Sequence, residues 1–338
     1  METVKCDLCG AREYQILFSQ TDIIHKTTTE WFQMVRCRDC ELHYLNPRPE
    51  PAEIKKYYSE DYTYYNRGNE LKSGARDMLR RLVNNAYFNN RGIFTKVLMR
   101  TLALPLYLPK LKKKMPFLLV PEIKSYLDIN VPKRILDIGC GSGEDTHMYG
   151  SSEAIICLER RGWDVYGIEP SEKARSAIMD KKLKNIKIYT DLYQASFEND
   201  YFDVIRLNWS LEHIHRPTDY LLECKRILNK DGKLIIGIPN YNGITYKIFP
   251  RCVEVPVHLY YFCTDTFKKY CKKLEFKIMD YYTFSYVPLF LNSLELMGHS
   301  SVYQHIMNNP GEAVKLQTFL NLMARLELGD DMVFCLSK

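Results

Sequence analysis

The sequence predicts an α/β fold with a parallel sheet, preceded by a small cysteine-bearing module. Three observations indicate this. An apolar strand runs into a glycine-rich turn at residues 135–143, strand and helix patterns alternate from residue 163 to residue 238, and two Cys-x2-Cys pairs lie near the amino terminus. A chain of 338 residues with 46% hydrophobic content can fill one such core beside a small module.

The glycine-rich turn is the first element that carries chemistry. It reads Ile-Leu-Asp-Ile-Gly-Cys-Gly-Ser-Gly at residues 135–143, so the glycines follow a buried strand at the edge where such sheets bind ligands. A dinucleotide fingerprint would need a third glycine at position 144, but Glu144 stands there, and its carboxylate repels phosphate. This disfavours a nicotinamide oxidoreductase. A cofactor with a cationic centre and no phosphate, such as S-adenosylmethionine, suits Asp137 and Glu144 better.

Three further strands are predicted to end at the same edge. Residues 163–169 end at Glu169, where a carboxylate can accept hydrogen bonds from both ribose hydroxyls. Residues 186–190 end at Asp191, and the strand from Phe202 to Leu207 ends near Asn208. These polar side chains should therefore lie around one cleft.

The next pattern predicts a helix and a fifth strand. Residues 218–229 read as an amphipathic helix, and the pair Asp231-Gly232 predicts a turn into a strand from Lys233 to Ile238. The predicted inward residues of the helix are Leu221, Leu222, Ile227 and Leu228.

Together these segments resemble class I S-adenosylmethionine-dependent methyltransferases over about residues 120–285. The segments that carry the resemblance are Ile135–Gly143, Tyr166–Ser171, Phe202–Ile214 and Arg226–Asn240. The resemblance implies a Rossmann-like seven-stranded sheet with an antiparallel last strand, for which Asp331–Ser337 is the candidate. The segment Thr146–Glu153 reads as an insertion, so the first helix is expected to start late.

The resemblance also implies a set of cofactor-binding residues. The loop around Asp137 would line the methionine moiety, Glu169 would hold the ribose, and Asp191 with Leu192 would flank the adenine. The implied set is Asp137, Gly139, Cys140, Gly141, Gly143, Glu169, Pro170, Asp191, Leu192 and Asn208.

The amino-terminal cysteines form a second signal. Cys6, Cys9, Cys37 and Cys40 offer four thiolates at a spacing that suits one tetrahedral, structural Zn²⁺ in a zinc-ribbon-like module, with two disulfides as the competing interpretation. Residues 14–18 and 31–35 are predicted strands of this module.

The run from Cys37 to Pro49 resembles zinc-binding methyltransferases of sugar, polysaccharide and natural-product pathways, some of them deoxysugar C-methyltransferases. The run Val257–Phe262 resembles the segment that borders the acceptor pocket in that subgroup, so Tyr260 and Tyr261 are candidate lining residues.

Charge is concentrated between Lys72 and Lys114. Eleven basic residues and one acidic residue there give +10, so the net charge of +6 leaves −4 on the other 295 residues.

We therefore predict a zinc-binding module at 1–48, a helical basic connector or lid at 49–120, and a methyltransferase domain at 121–338. The connector could present a solvated face, contact a membrane peripherally through residues 93–114, or bind an anionic acceptor. Nucleic acid is less favoured, because residues 1–45 are nearly neutral.

The predicted activity is methylation of a hydroxyl of a sugar, nucleotide-sugar or glycan precursor, with a histidine general base. His258 and His213 are the candidate bases, and His215 is a third histidine near the strand ends. The alternatives are a sugar C-methyltransferase, a zinc-bearing RNA methyltransferase and a non-enzymatic cofactor-binding interaction module. We expect a cytoplasmic protein, since the start of the sequence does not read as a signal peptide.

Overall fold

The computed structural model describes residues 1–58, 124–144 and 151–338, together with residues 116 and 119. Most of the predicted connector at 49–120, including the proposed membrane segment 93–114, lies outside the described residues. The helices within the described ranges include none that is both long and apolar enough to cross a membrane.

A seven-stranded sheet forms the centre of the fold. Its strands are β4 (Arg134–Ile138), β5 (Asp164–Ile168), β6 (Ile186–Tyr189), β7 (Phe202–Asn208), β8 (Leu228–Pro239), β10 (Lys277–Phe284) and β11 (Asp331–Ser337). Their order is β10-β11-β8-β7-β4-β5-β6, and β11 runs antiparallel to both of its neighbours while the pairs among β4 to β8 are parallel. This confirms the predicted α/β fold, including the antiparallel strand Asp331–Ser337.

Helices connect and cover these strands. They are α1 (Ile155–Arg160), α2 (Glu172–Met179), α3 (Pro217–Ile227), α4 (Ile244–Ile248), α5 (Thr264–Lys273), α6 (Val287–Leu296), α7 (Ser300–Asn308) and α8 (Pro310–Arg325). Between β4 and β5 the described helix α1 begins at Ile155. A single turn of 3-10 helix at Ser151–Glu153 precedes it. Residues 145–150 lie outside the described residues, so the expected late start stays a prediction.

Two local predictions around α3 are wrong. Leu222 is 46% exposed and does not face inward, because the buried face of α3 is formed by Tyr220, Leu221, Cys224 and Ile227. The pair Asp231-Gly232 does not form a turn between helix and strand, since β8 already begins at Leu228. Instead, the pairing of β7 with β8 jumps from Leu228 to Lys233, so the extra residues form an irregularity within the strand.

The amino-terminal module has its own sheet, of order β1-β2-β3-β9. Its strands are β1 (Tyr14–Gln20), β2 (Phe32–Cys37), β3 (His43–Leu45) and β9 (Tyr260–Tyr261). The strand β9 comes from the carboxyl-terminal half of the chain and pairs with β3. Cys6, Leu8 and Tyr44 also belong to the same apolar core as Tyr260 and Phe262. The module is therefore packed directly against the segment that was predicted to border the acceptor pocket.

Candidate active site

The glycine-rich loop leaves β4 in the conformation that its glycines allow. Gly139, Gly141 and Gly143 all have positive φ, at 75°, 53° and 72°. A β-carbon at position 139 would lie 2.7 Å from the β-carbon of Ser210, which follows β7. Glycine is therefore required at this point by both backbone conformation and space.

Glu169 joins the end of β5 to this loop. One carboxylate oxygen accepts a hydrogen bond from the Gly141 amide at 2.9 Å, and the other accepts from the Ser171 amide at 2.7 Å. The side chain is buried, and this desolvation raises the pKa of Glu169 above its usual value. The two predicted cofactor elements are thus hydrogen-bonded to each other.

Asp137 lies beneath the loop in a buried ion pair with Arg206 of β7. The guanidinium donates two hydrogen bonds to the Asp137 carboxylate, at 3.0 and 2.7 Å, and a third, at 3.2 Å, to the backbone carbonyl of Glu153. Its Nη1 also lies 3.7 Å from the Glu153 carboxylate. Because both Asp137 oxygens are bonded to Arg206, the ion pair fixes the base of the loop. The contact of Asp137 with a methionine moiety stays a prediction.

The residues after β6 follow the outermost strand of the sheet, which is parallel to β5. The Asp191 carboxylate accepts hydrogen bonds from the amides of Tyr193 and Gln194, at 2.9 and 3.1 Å, and Leu192 is fully buried. Glu144, the residue that breaks the dinucleotide pattern, forms an ion pair with Lys181. The adenine contacts predicted for Asp191 and Leu192 stay predictions.

A second polar cluster begins two residues after Ser210, on a single turn of 3-10 helix at Leu211–His213. The Glu212 side chain is 1% exposed, and neither of its carboxylate oxygens has a hydrogen-bond partner within the described ranges. Desolvation raises the pKa of Glu212 well above its usual value. Ser210, two residues before Glu212, packs on Gly139, so this turn starts next to the glycine-rich loop.

Both predicted histidine bases are in this cluster. The rings of His213 and His258 are 4.6 Å apart between centroids, and His258 Nε2 lies 4.0 Å from a Glu212 oxygen. Nδ1 of His213 lies 2.9 Å from the Val257 carbonyl, which can only accept, so Nδ1 carries the proton and Nε2 keeps its lone pair. Desolvation lowers the pKa of His213 to about 3 and also lowers the pKa of His258.

The amino-terminal module reaches into this cluster. His25 bonds to the Glu254 carboxylate through Nε2 at 2.8 Å, and Glu254 lies 3.9 Å from His258 Nε2. Desolvation opposes the charge on Glu254, but the imidazoles of His258 and His25 lower its pKa to about 2. The Tyr58 hydroxyl lies 3.1 Å from His213 Nδ1. The amino-terminal range 1–58 thus reaches this cluster at two points, through His25 by way of Glu254 and through Tyr58 directly.

The third histidine, His215, is not part of the cluster, because its Nε2 bonds to the Pro49 carbonyl at 3.0 Å.

The two candidate tyrosines also differ. Tyr260 receives a hydrogen bond from Arg48 at 2.7 Å and donates one to the His215 carbonyl at 3.1 Å, so it is structural. The buried Tyr261 hydroxyl has no partner within the described residues.

The four cysteines of the amino-terminal module converge. Their Sγ atoms lie within 4.8 Å of one another, with Cys6–Cys40 at 3.4 Å and Cys9–Cys37 at 3.5 Å. All 11 cysteines of the chain lie in described segments and are free thiols. In each pair the residue after the second cysteine, Gly10 or Glu41, has positive φ and donates its amide to the carbonyl of the first cysteine.

Comparison with known proteins decides the family. Residues 110–280, about half of the chain, match a family model described as a methyltransferase domain. The chain belongs to this family. Its match to a ubiquinone biosynthesis O-methyltransferase of Glaesserella parasuis is 26% identical and covers 42% of this chain and 61% of that protein. A 27-O-demethylrifamycin SV methyltransferase of Amycolatopsis mediterranei is 27% identical over 35% of this chain and 43% of its own length. The chain thus spans about half the length of these curated relatives.

A solved structure is also similar to the methyltransferase. A SAM-dependent methyltransferase from Archaeoglobus fulgidus has 18% identity and a TM-score of 0.41, covering 62% of this chain and 88% of its own.

Sequence reasoning missed three contributors to the site of this methyltransferase. Arg206 had a detectable signal, because a charged residue in the middle of an apolar strand stands opposite Asp137 in the pairing of β4 with β7. For Glu212, the only signal in the sequence is its position beside His213. His25 lies more than 200 residues from Glu254 in the sequence, and no local pattern marks that contact.

Proposed function

We propose that this protein transfers a methyl group from S-adenosylmethionine to a hydroxyl oxygen of a sugar, nucleotide-sugar or glycan precursor. The observation that carries the proposal is the position of the Glu212 cluster directly after Ser210, which packs on the glycine of the cofactor loop. A nucleophile held at the cluster would face a methyl group held at the loop, and proximity and orientation supply much of the rate enhancement.

The cofactor part of the proposal is supported by the family and by the loop. Glu169 has two oxygens at the carboxyl end of β5, both fixed by backbone amides, which is the arrangement that ribose hydroxyls require of an acceptor. Within the described ranges, the carboxylates of Asp137 and Glu153 next to the loop share the Arg206 guanidinium. A cationic sulfonium is better placed near this surplus of negative charge than a pyrophosphate would be.

The acceptor is activated at the Glu212 cluster, which comprises Glu212, His213 and His258. The oxygen of the acceptor loses its proton, attacks the methyl carbon, and the carbon–sulfur bond breaks with its electron pair passing to sulfur. His258 is the better candidate base, because the Glu254 carboxylate 3.9 Å away stabilises its protonated form. His213 remains neutral and is oriented by the Val257 carbonyl.

A hydroxyl acceptor is favoured by the cluster itself and by the relatives, two of which carry O-methyltransferase or O-demethylrifamycin methyltransferase in their names. The sugar class is supported by the polar and aromatic groups around the cluster. The Tyr241 ring lies 5.8 Å from the Tyr246 ring and 5.7 Å from the Tyr261 ring, between centroids. The buried Tyr261 hydroxyl has no partner within the described part of the chain, so it could bond a ligand.

We also propose that Cys6, Cys9, Cys37 and Cys40 bind one structural Zn²⁺. Sulfur atoms about 2.3 Å from a tetrahedral zinc lie about 3.8 Å apart, close to the observed 3.4 and 3.5 Å, whereas a disulfide needs about 2.05 Å. The left-handed residues Gly10 and Glu41 close the two knuckles in the same way, since their amides bond to the carbonyls of Cys6 and Cys37. With four protein ligands the site is closed, so the ion would stabilise the module and take no part in catalysis.

The test is isothermal titration of the zinc-loaded protein with S-adenosylhomocysteine and, separately, with NADH. We expect binding of S-adenosylhomocysteine only, and its loss in Glu169→Ala. Glu172→Ala is the matched control, because that glutamate is exposed on α2. An acceptor screen with nucleotide-sugars then follows transfer of a labelled methyl group. Failure of the wild type to bind S-adenosylhomocysteine would overturn the proposed function.

A further inference from the structure

Glu212 poses a problem that the proposed methyl transfer does not explain. Its carboxylate is almost completely buried, yet within the described residues neither oxygen accepts a hydrogen bond. An unpaired buried carboxylate costs several kcal/mol, so native structures normally provide it with donors or with a cation. The neighbouring His258 Nε2 is 4.0 Å away, which is too long for a hydrogen bond.

The surrounding groups are those that bind divalent metals. One ligand atom each from Glu212, His213 and His258 lies within 4.8 Å of the others. Ligands about 2.1 Å from one ion lie roughly 3 to 4.2 Å apart, so closing around an ion requires shifts of only several tenths of an ångström. The 4.0 Å between His258 Nε2 and the Glu212 oxygen is too long for a hydrogen bond but suits two ligands of one cation.

The orientation of His213 supports the same conclusion independently. Its Nδ1 hydrogen is donated to the Val257 carbonyl at 2.9 Å, which leaves the Nε2 lone pair available. Metal-binding histidines almost always have this second partner, because it fixes the tautomer and the ring. The 3-10 turn at Leu211–His213 places this ring next to the Glu212 carboxylate.

We propose that Glu212, His213 and His258 form a binding site for a divalent transition-metal ion on the acceptor side of the cleft. Two imidazoles and one carboxylate leave coordination positions open, and an acceptor hydroxyl bound there would lose its proton more readily. The inference rests on the proposed function for its role, but the site itself is defined by these three residues. His258 would then act as a ligand and not as the base; the metal would lower the pKa of the bound acceptor hydroxyl, and the released proton would pass to solvent water.

The charges agree with a divalent ion. Glu212 supplies one negative charge to the ligand set, and Glu254 lies 3.9 Å from His258 while also bonding to His25. The positive charge of a divalent ion would stabilise the ionised form of the buried Glu212 carboxylate, whose pKa desolvation otherwise raises.

Manganese binding to the full-length, zinc-loaded protein tests the site. Mn²⁺ is the probe, because it prefers oxygen and imidazole ligands to thiolates and is followed by electron paramagnetic resonance. We expect one Mn²⁺ per chain, and binding at least tenfold weaker in both Glu212→Gln and His258→Ala. His305→Ala, a change at an exposed histidine of α7, should bind Mn²⁺ as the wild type does.

Titration of the same variants with S-adenosylhomocysteine separates the two proposals. Retained binding in Glu212→Gln and His258→Ala shows that the cofactor half is folded, so a loss of Mn²⁺ there reflects the ligands. Absence of a stoichiometric Mn²⁺ site in the wild type, or equal affinity in wild type and both variants, would overturn the metal site. If Mn²⁺ binds and S-adenosylhomocysteine does not, the metal site stands and the proposed methyl transfer fails.

Discussion

The buried pair of Asp137 and Arg206 should dominate the stability of the cofactor half. Arg206→Met keeps much of the apolar side-chain volume but removes the guanidinium, which donates two hydrogen bonds to Asp137 and one to the Glu153 carbonyl. The side chains of Arg206 and Asp137 are 1% and 7% exposed, so solvent cannot replace the lost partner. Removing one member of a buried pair costs about 3–5 kcal/mol, and we expect the upper half of that range because Glu153 is left uncompensated as well.

The measurement is urea denaturation followed by far-ultraviolet circular dichroism, with S-adenosylhomocysteine binding as a second readout. Arg161→Met is the matched control, since Arg161 is exposed at the end of α1, and its free energy of unfolding should change by less than about 0.5 kcal/mol.

A double variant tests the electrostatic reason. Adding Asp137→Asn to Arg206→Met removes one of the uncompensated charges, so the double variant should be more stable than Arg206→Met alone by roughly 2 kcal/mol. A loss below about 1 kcal/mol for Arg206→Met, or additive losses in the double variant, would refute the idea that charge compensation holds this loop.

Three other perturbations follow from the described contacts. Cys40→Ser should reduce the zinc content measured by atomic absorption from one per chain to none and lower the melting temperature, whereas Cys157→Ser should do neither. Desolvation raises the pKa of Asp331 from 3.8 to about 8, so the folded state holds a proton that the unfolded state has lost, and stability should fall by about 1.4 kcal/mol per pH unit between pH 5 and 7.5. Asp331→Asn should remove that slope in urea denaturation, and parallel curves for the two proteins would contradict the assignment. Gly139→Ala should weaken S-adenosylhomocysteine binding at least tenfold in calorimetry, because its β-carbon would meet Ser210, while Gly311→Ala has open space and should bind normally.

Local patterns predicted the sheet well because each strand carries its own signal. The apolar runs ending at Gly139, Glu169 and Asn208 have the period and the terminators of parallel strands, and all three ends meet at one edge. Even the antiparallel strand Asp331–Ser337 followed from family resemblance. The failures are local: β8 starts early because Leu228 already pairs with Phe202, and Asp231-Gly232 lies in the irregularity that follows within the strand.

The site was predicted less completely, for a physical reason. The predicted cofactor residues lie within a few positions of strand ends, so the sequence alone places them at one edge of the sheet. Glu254 and His25 come together only because β3 pairs with β9, which brings the amino-terminal module against the segment after β8. A contact set by tertiary pairing between distant segments leaves no period or spacing in the sequence.

This pairing changes how the amino-terminal module is understood. A zinc module that only stabilised its own fold would need no strand from the other half of the chain, yet its sheet is completed by Tyr260–Tyr261. His258 is two residues before that strand, and the backbone amide of Leu259, between them, bonds to the Glu212 carbonyl at 2.9 Å. The Leu45 amide in turn bonds to the Leu259 carbonyl at 3.0 Å. One short segment is therefore hydrogen-bonded to the module on one side and to the acceptor-side cluster on the other. Because the proposed zinc site anchors the sheet that holds this segment, loss of zinc should displace His258 relative to Glu212 before it disturbs the cofactor loop.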